Sequence, residues 1–478
     1  MTATERSFER EAGEPVVVPH GRALRLLSFA KDRLAQPLAR TSAAALVVYV
    51  AGAAISYLVQ VAAARIVGPD NYGIYAYVLA FTTLLAYFST LGFNVSLQRF
   101  VPAYRAKAEW SLASGVIRYS HWAVAATGLG IFLVGICLTV ASDKMMQSDL
   151  AATTILGLAA VPLMALNLVG AAVVRSFGGV VSSLMPERVV RDSVMLMVLV
   201  VAAWSHLVHP DATLVMGATL ISSVATLALL RVSMRRLRPQ QLAGVTLAYE
   251  RGAWHRPMVP LAVITVADNL MMRAAVIVLG ATGNLREAGI FAAALSLAML
   301  TSLPRMAVGT VFTPNVSRLF ARGEHVALQS LLAKSACLSL IGTIGVAVPL
   351  LLLAKPFLSW FGPEFVSGAQ ITAVLIVGQI ASAASGPQQH IITMTGHEKV
   401  GAKLQMSCAV LNLVLGFLLV GAFGMFGVAI AMTASLIVWN VAMALFIHRN
   451  LGIQPGLVAS AKVLSGILRG PSVEKEAA

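Results

Sequence analysis

Twelve apolar runs, each close to the ~20 residues a helix needs to cross a bilayer, leave this chain almost no choice of architecture. They lie near 42–64, 73–97, 114–140, 151–174, 189–208, 212–232, 258–280, 290–312, 331–354, 369–391, 403–422 and 427–447. Backbone in hydrocarbon must satisfy its own hydrogen bonds, so runs of this length predict helices. Composition agrees: of 478 residues, 58% are hydrophobic and 12% charged, with mean hydropathy +0.82. Soluble domains carry about twice that share of charge. The expected fold class is an all-α polytopic membrane protein.

The formal net charge is +15, which in a soluble protein would suggest nucleic acid. Here the cations are dispersed over short loops instead of forming one face, so no nucleic-acid partner is expected and the charge reads as topology. One side holds 28 Lys and Arg, from Arg6 in the N-terminal segment to Lys475 in the tail, and includes Arg99, Arg105, Arg175, Arg188, Arg191 and Arg231. The other side holds four, Arg65, Lys144, Arg286 and Lys355. Both termini are therefore expected in the cytoplasm, with the lipid bilayer as a standing partner. No apolar h-region precedes the first span, so that span acts as its own insertion signal.

The chain divides into five segments. Residues 1–41 form a cytoplasmic N-terminal segment whose stretch 22–40 reads as a basic amphipathic helix, either a surface anchor or a gating element. Residues 42–232 and 258–448 are two six-helix halves, joined by a basic linker at 233–257, and 449–478 is a tail. The halves look like repeats. Gly73-Ile74-Tyr75-Ala76 recurs as Gly289-Ile290-Phe291-Ala292, and Asn94-Val95-Ser96 as Asn315-Val316-Ser317. Parallel halves around a central cavity are a recurrent transporter plan.

Three arginines belong to neither side and lie well inside spans: Arg118, Arg273 and Arg305. A charge there costs several kcal/mol, about 3 on insertion scales, unless it faces protein or water. By helix rise, Arg118 lies about 12 Å into its span, Asp268 about 15 Å, and Arg273 and Arg305 about 22 Å. The guanidinium fork matches phosphate oxygens, so the three read as a cationic lumen for an anionic substrate. Snorkelling to headgroups is the competing reading, strongest for Arg118. Asp268 has two readings, counter-ion to Arg273 in one conformation or site for a coupling H+ or Na+. Asn94, Gln98 and Asn269 are polar candidates for the cavity wall; Asn94 and Gln98 would serve equally to hold helices together.

No cofactor, metal or catalytic constellation is expected. Cys137, Cys337 and Cys408 lie in apolar spans without ligand spacing, His206, His209 and Asp211 read as interfacial residues, and no Walker loop is present. A membrane-embedded polysaccharide polymerase or ligase would need larger or more acidic outer loops. A multidrug or cation antiporter would favour acids over arginines within the spans.

Gly68-Pro69-Asp70-Asn71-Tyr72-Gly73-Ile74-Tyr75 resembles the start of the Wzx-type oligosaccharide flippases, in the superfamily that includes MATE exporters. Glu287–Ala294, Thr313–Leu319, Phe361–Phe365, Met394–Glu398 and Phe423–Ala429 resemble the same family in order and spacing, from about Ser42 to Gly452. The resemblance implies a MATE-like fold in the bacterial inner membrane. It also implies flipping of polyprenyl-pyrophosphate-linked glycans to the periplasmic leaflet for O-antigen, capsule or exopolysaccharide assembly. Polymerase and export machinery are the implied protein partners.

Overall fold

The computed structural model describes residues 37–142, 150–205, 209–321, 324–454 and 456. The amphipathic stretch 22–36, His206 and most of the tail lie outside them. Residues 1–44 form one unit and residues 45–478 a second, compact one that carries the spans.

Nine stretches among the described residues are apolar helices long enough to span a membrane. Two of them are too long for one crossing. The helical run Pro37–Ser89 leaves helical geometry at Gly68 (φ 75°), just before Pro69. The Tyr72 hydroxyl then donates to Gln60, twelve residues back, at 3.3 Å. A straight helix would separate that pair by about 18 Å, so the chain reverses at Gly68. Glu398–Leu451 does the same at Gly424 (φ 54°). A left-handed φ is where glycine replaces other residues at little cost.

With these turns resolved, α1 is 37–67 and α2 is 69–106, broken at 90–92 before Phe93–Ala106. Next come α3 (Trp110–Ala141), α4 (Leu150–Ser176), α5 (180–205) and α6 (Ala212–Leu237). The second half holds α7 (Arg251–Ala281), α8 (285–321, tightened at Leu300–Ser302), α9 (His325–Leu352) and α10 (Ala369–Ser385). It closes with α11 (398–423) and α12 (425–451). The described residues thus make twelve passes. The second helix of each half is broken near its middle, as expected if the halves are repeats.

α5 departs from the sequence reading. It begins at Val180, nine residues before the expected boundary, and passes through a π-helical turn at Pro186–Val190. Hydropathy alone rejects Glu187, Arg188, Arg191 and Asp192 as membrane residues. Three of them are admitted because they pair, Glu187 with Arg175 at 3.1 Å and Arg191 with Asp192 at 2.8 Å, while Arg188 lies over the Tyr49 ring. Arg188 and Arg191, expected from the sequence in a loop, therefore stand about 12 and 16 Å along the helix from its basic end.

The halves meet most closely at the end opposite the basic face. A Cβ on Gly73 would lie 1.8 Å from the Leu285 carbonyl oxygen, and one on Gly289 would lie 2.8 Å from the Gly73 nitrogen. The two glycines of the sequence repeat thus touch each other, where only glycine lets backbones approach so far. Around them Tyr57 packs edge-on against Phe357 and Phe361, Tyr72 against Phe365, and Arg286 pairs with Asp70 at 3.5 Å. Tyr72, Ala288 and Phe291 are buried.

At the basic end α7 leans on the first half. The buried Trp254 ring donates to the Tyr104 hydroxyl at 2.8 Å, and Gly92 sits under the Met258 carbonyl. Farther along, α7 joins the second half: Asn412 donates to the Met271 carbonyl at 3.1 Å. The helix bearing Asp268, Asn269 and Arg273 therefore belongs to both halves.

A valine at Gly73 must push back the Leu285 backbone, an overpacking cost of about 1–3 kcal/mol. In a Gly73→Val background, a cysteine at buried Ala288 is expected to react with a membrane-impermeant maleimide. Gly217→Val, where nothing lies within 4 Å of the new carbon, should leave that cysteine protected.

Candidate functional site

The helix breaks and the early start of α5 bring three arginines toward one interior zone. Arg273, on α7, is partly exposed and lies within electrostatic reach of Tyr72 and Tyr75, of Tyr87 and of Arg191. It has no hydrogen-bond or ion-pair partner among the described residues. The tyrosines come from α2 and Arg191 from α5, so a group on the second half meets a wall of the first. Tyr75 is held by Thr219 of α6 at 3.2 Å. Arg188 stacks over the Tyr49 ring at 5.5 Å and is exposed.

Asp268 and Arg305 form a second cluster, built wholly from the second half. Arg305 donates to the buried Ser382 hydroxyl of α10 at 2.6 Å. Asp268 accepts from buried Gln405 of α11 at 3.2 Å and lies within the field of Arg305. His390, on the short helix Gln388–Met394, faces the same arginine. Asp268 and His390 are exposed, whereas the opposite end is sealed by Tyr72, Ala288 and Phe291. The polar zone is thus open at Asp268 and His390, away from the glycine contact.

Placement divides the expected residues. Asp268 faces Arg305 rather than Arg273, because five residues put the two side chains of α7 about 140° apart. Asn269 donates to the Thr265 carbonyl at 3.0 Å and meets the Tyr87 hydroxyl of α2, so it links helices across the halves. Asn94 is buried and accepts from Thr90 at 3.1 Å, and Gln98 donates to the Asn94 carbonyl at 3.0 Å. Both secure the restart of α2 after its break. Next to Gln98, Arg99 reaches Glu398 of α11 at 3.4 Å, an exposed link between halves at the basic end. Asp211 caps α6 by accepting from the Leu214 amide at 2.9 Å, the ordinary role of such a residue before a helix.

Arg118 does not join the interior set. Its helix face continues through Trp122, Leu129 and Leu133, all exposed, with Trp122 at 70%. It lines a separate recess with Arg231 of α6 and the chain that follows α6. The span containing it starts at Trp110 rather than at 114, and its outward direction was not readable from depth alone.

Sequence reasoning also passed over Tyr72, Tyr75, Tyr87, Arg191 and His390. Tyrosine in a span ordinarily marks an interface, and the charged turn of α5 reads as a loop until its pairs are seen. Once Arg175–Glu187 and Arg191–Asp192 are set aside as pairs, Arg188, Arg273 and Arg305 remain in this zone against one carboxylate, Asp268, among the described residues. The interior carries excess positive charge.

Arg191→Ala leaves the buried Asp192 carboxylate unpartnered, at a cost on the order of 2 kcal/mol. A clear fall in the thermal unfolding midpoint is expected. Adding Asp192→Asn should recover most of it, and an additive loss in the double variant would show that the pair does not act as a unit.

No curated protein matches the chain. Among solved structures, an inward-facing multidrug resistance MATE family transporter of the MOP superfamily superimposes with TM-score 0.69 at 13% identity, over 87% of this chain and 96% of that one. An outward-facing MATE transporter of the same superfamily gives 0.65 at 13% identity, over 90% and 96%. A Pyrococcus furiosus MOP superfamily transporter, described as having a binding pocket of reverse polarity, gives 0.64 at 14% identity, over 90% and 96%. These likenesses establish a shared fold. Residues 38–320 match the family described as polysaccharide biosynthesis protein, more than half of the sequence; the chain belongs to the polysaccharide biosynthesis protein family.

Proposed function

We propose that this protein flips polyprenyl-pyrophosphate-linked oligosaccharides from the cytoplasmic to the periplasmic leaflet of a bacterial inner membrane, during assembly of a surface polysaccharide. The observation that carries the reading is Arg273, a partly exposed guanidinium at the junction of the halves, within electrostatic reach of three tyrosines and without a hydrogen-bond or ion-pair partner among the described residues. An ionised group kept there at such cost marks a cargo path. Pyrophosphate offers the acceptors its donors lack, and the partly exposed Tyr87 offers a ring and a hydroxyl to a sugar.

The basic face corresponds to the cytoplasm by the distribution of lysine and arginine. In this state the polar zone is reached from the cytoplasmic end, while Gly73 and Gly289 close the periplasmic end. The headgroup enters the zone as the isoprenoid tail stays in lipid. Arg273, Arg305 and Arg188 substitute for lost hydration. Asp268 neutralises Arg305 between loads, and in a second role it takes up a coupling H+ or Na+.

A small-cation antiporter is disfavoured by three guanidiniums without a salt bridge against one carboxylate in this zone, among the described residues. Family and fold point to transport over catalysis.

In proteoliposomes with a fluorescent polyprenyl-pyrophosphate glycan, Arg273→Ala and Arg305→Ala are expected to slow translocation at least tenfold, the loss of one charge-assisted contact of about 1.5–3 kcal/mol. Wild-type rates in both folded variants would remove the site. Absence of glycan translocation by wild type, with transport of organic cations, would replace the function by the antiporter. Asp268→Asn separates the two roles of that carboxylate: loss of dependence on an imposed H+ or Na+ gradient marks coupling, and unchanged dependence marks a counter-ion.

A further inference from the structure

The recess that holds Arg118 lies outside the interior polar zone. It has a volume of about 690 Å³, within the range of small-molecule sites, and is walled by α3, α6, Phe177 and the linker between the halves. Arg118 and His121 project into it from one face of α3, one turn apart. Arg231 comes from α6 and Arg238 from its C-terminal cap. Arg238 is aimed by donating to the Leu242 carbonyl. Arg118 and Arg231 have no acidic partner among the described residues, and no carboxylate lines the recess. Three permanent positive charges therefore converge on one cavity with nothing to balance them.

Its surroundings say what balances them. Trp122 stands one turn beyond Arg118 on the same face and is 70% exposed, as expected of an aromatic at a membrane interface. Leu229 and Val232 of α6 are exposed beside Arg231. The walls between the charges are apolar, with Ile117, Met234 and Val245 among them. A cavity that is cationic at headgroup depth and flanked by acyl-facing side chains matches a phospholipid better than a soluble anion. From this geometry we infer that the recess binds the phosphodiester headgroup of an anionic phospholipid, whose acyl chains lie along α3 and α6.

The bound lipid would act on the connection between the halves. The linker runs extended along α3, with the Ala248 amide donating to the Ser111 carbonyl at 3.2 Å. It lies so close that a Cβ on Gly115 would meet the Ala248 oxygen at 1.9 Å. Leu242, Gly244 and Val245 of this linker form the outer wall of the recess. Filling it fastens the linker to the first half. Anionic lipid then becomes a structural part of the hinge region, separate from any cargo in the interior.

The test is native mass spectrometry of the full chain, extracted into detergent and titrated with phosphatidylglycerol, cardiolipin or phosphatidylethanolamine. Wild type is expected to retain the anionic lipids preferentially, and Arg118→Ala/Arg231→Ala to lose about 30-fold of that affinity, near fivefold per arginine. Arg118→Lys/Arg231→Lys, which keeps charge and bulk, should retain an intermediate preference and guards against misfolding in the alanine variant. Arg235→Ala/Arg236→Ala, on the exposed end of α6 outside the recess, should change nothing. Unaltered lipid preference in the folded alanine variant overturns the proposal, as does an equal loss in the Arg235/Arg236 variant. Displacement of the lipid by millimolar inorganic phosphate or glycerol phosphate would mean that the recess takes a soluble anion, and overturns it too.

Discussion

A guanidinium stays in a membrane only where something other than lipid solvates it, and that requirement organises this molecule. Six arginines of the helices meet it in different ways. Arg175 and Arg191 have carboxylates at 3.1 and 2.8 Å, Arg188 has the Tyr49 ring, and Arg305 has the Ser382 hydroxyl and the field of Asp268. Arg118 shares its recess with Arg231 and Arg238. Arg273 is left with tyrosines and the space between the halves. The helices are bent, broken and started early in ways that make these arrangements fit.

The architecture was legible in the sequence because periodic apolar length is a strong signal in hydrocarbon. The twelve spans and the doubling of Gly73-Ile74 as Gly289-Ile290 could both be read from the residues alone. That the paired glycines touch each other could not, since a repeat gives correspondence and not contact. The break at 90–92 and the tightening at 300–302 were equally silent; they show only as backbone geometry.

The site was partly legible. Rarity of charge drew attention to Asp268, Arg273 and Arg305, which lie in the interior. It drew the same attention to Arg118, which does not, because depth along a helix carries no azimuth; the exposed stripe of Trp122, Leu129 and Leu133 supplies that. Arg188 and Arg191 were missed for the converse reason. Charges that neutralise one another a residue or a few turns apart look like a loop to any hydropathy sum. Tyr72, Tyr75 and Tyr87 acquire meaning only from their nearness to Arg273.

α7 shares its length among three packed regions: Trp254 and Met258 lie in the core of the first half, Ala267 and Met271 in that of the second, and Ala275–Leu279 in the core common to both. A beam bolted at three points to two bodies cannot stay straight while those bodies tilt apart. One attachment must slip or the beam must flex, and Pro257 and Pro260, which have no amide hydrogen to give the preceding turn, interrupt its hydrogen-bond ladder near the basic end. The residues that would hold the cargo ride on the far side of that interruption, so tilting the halves and turning Asp268 and Arg273 become a single motion.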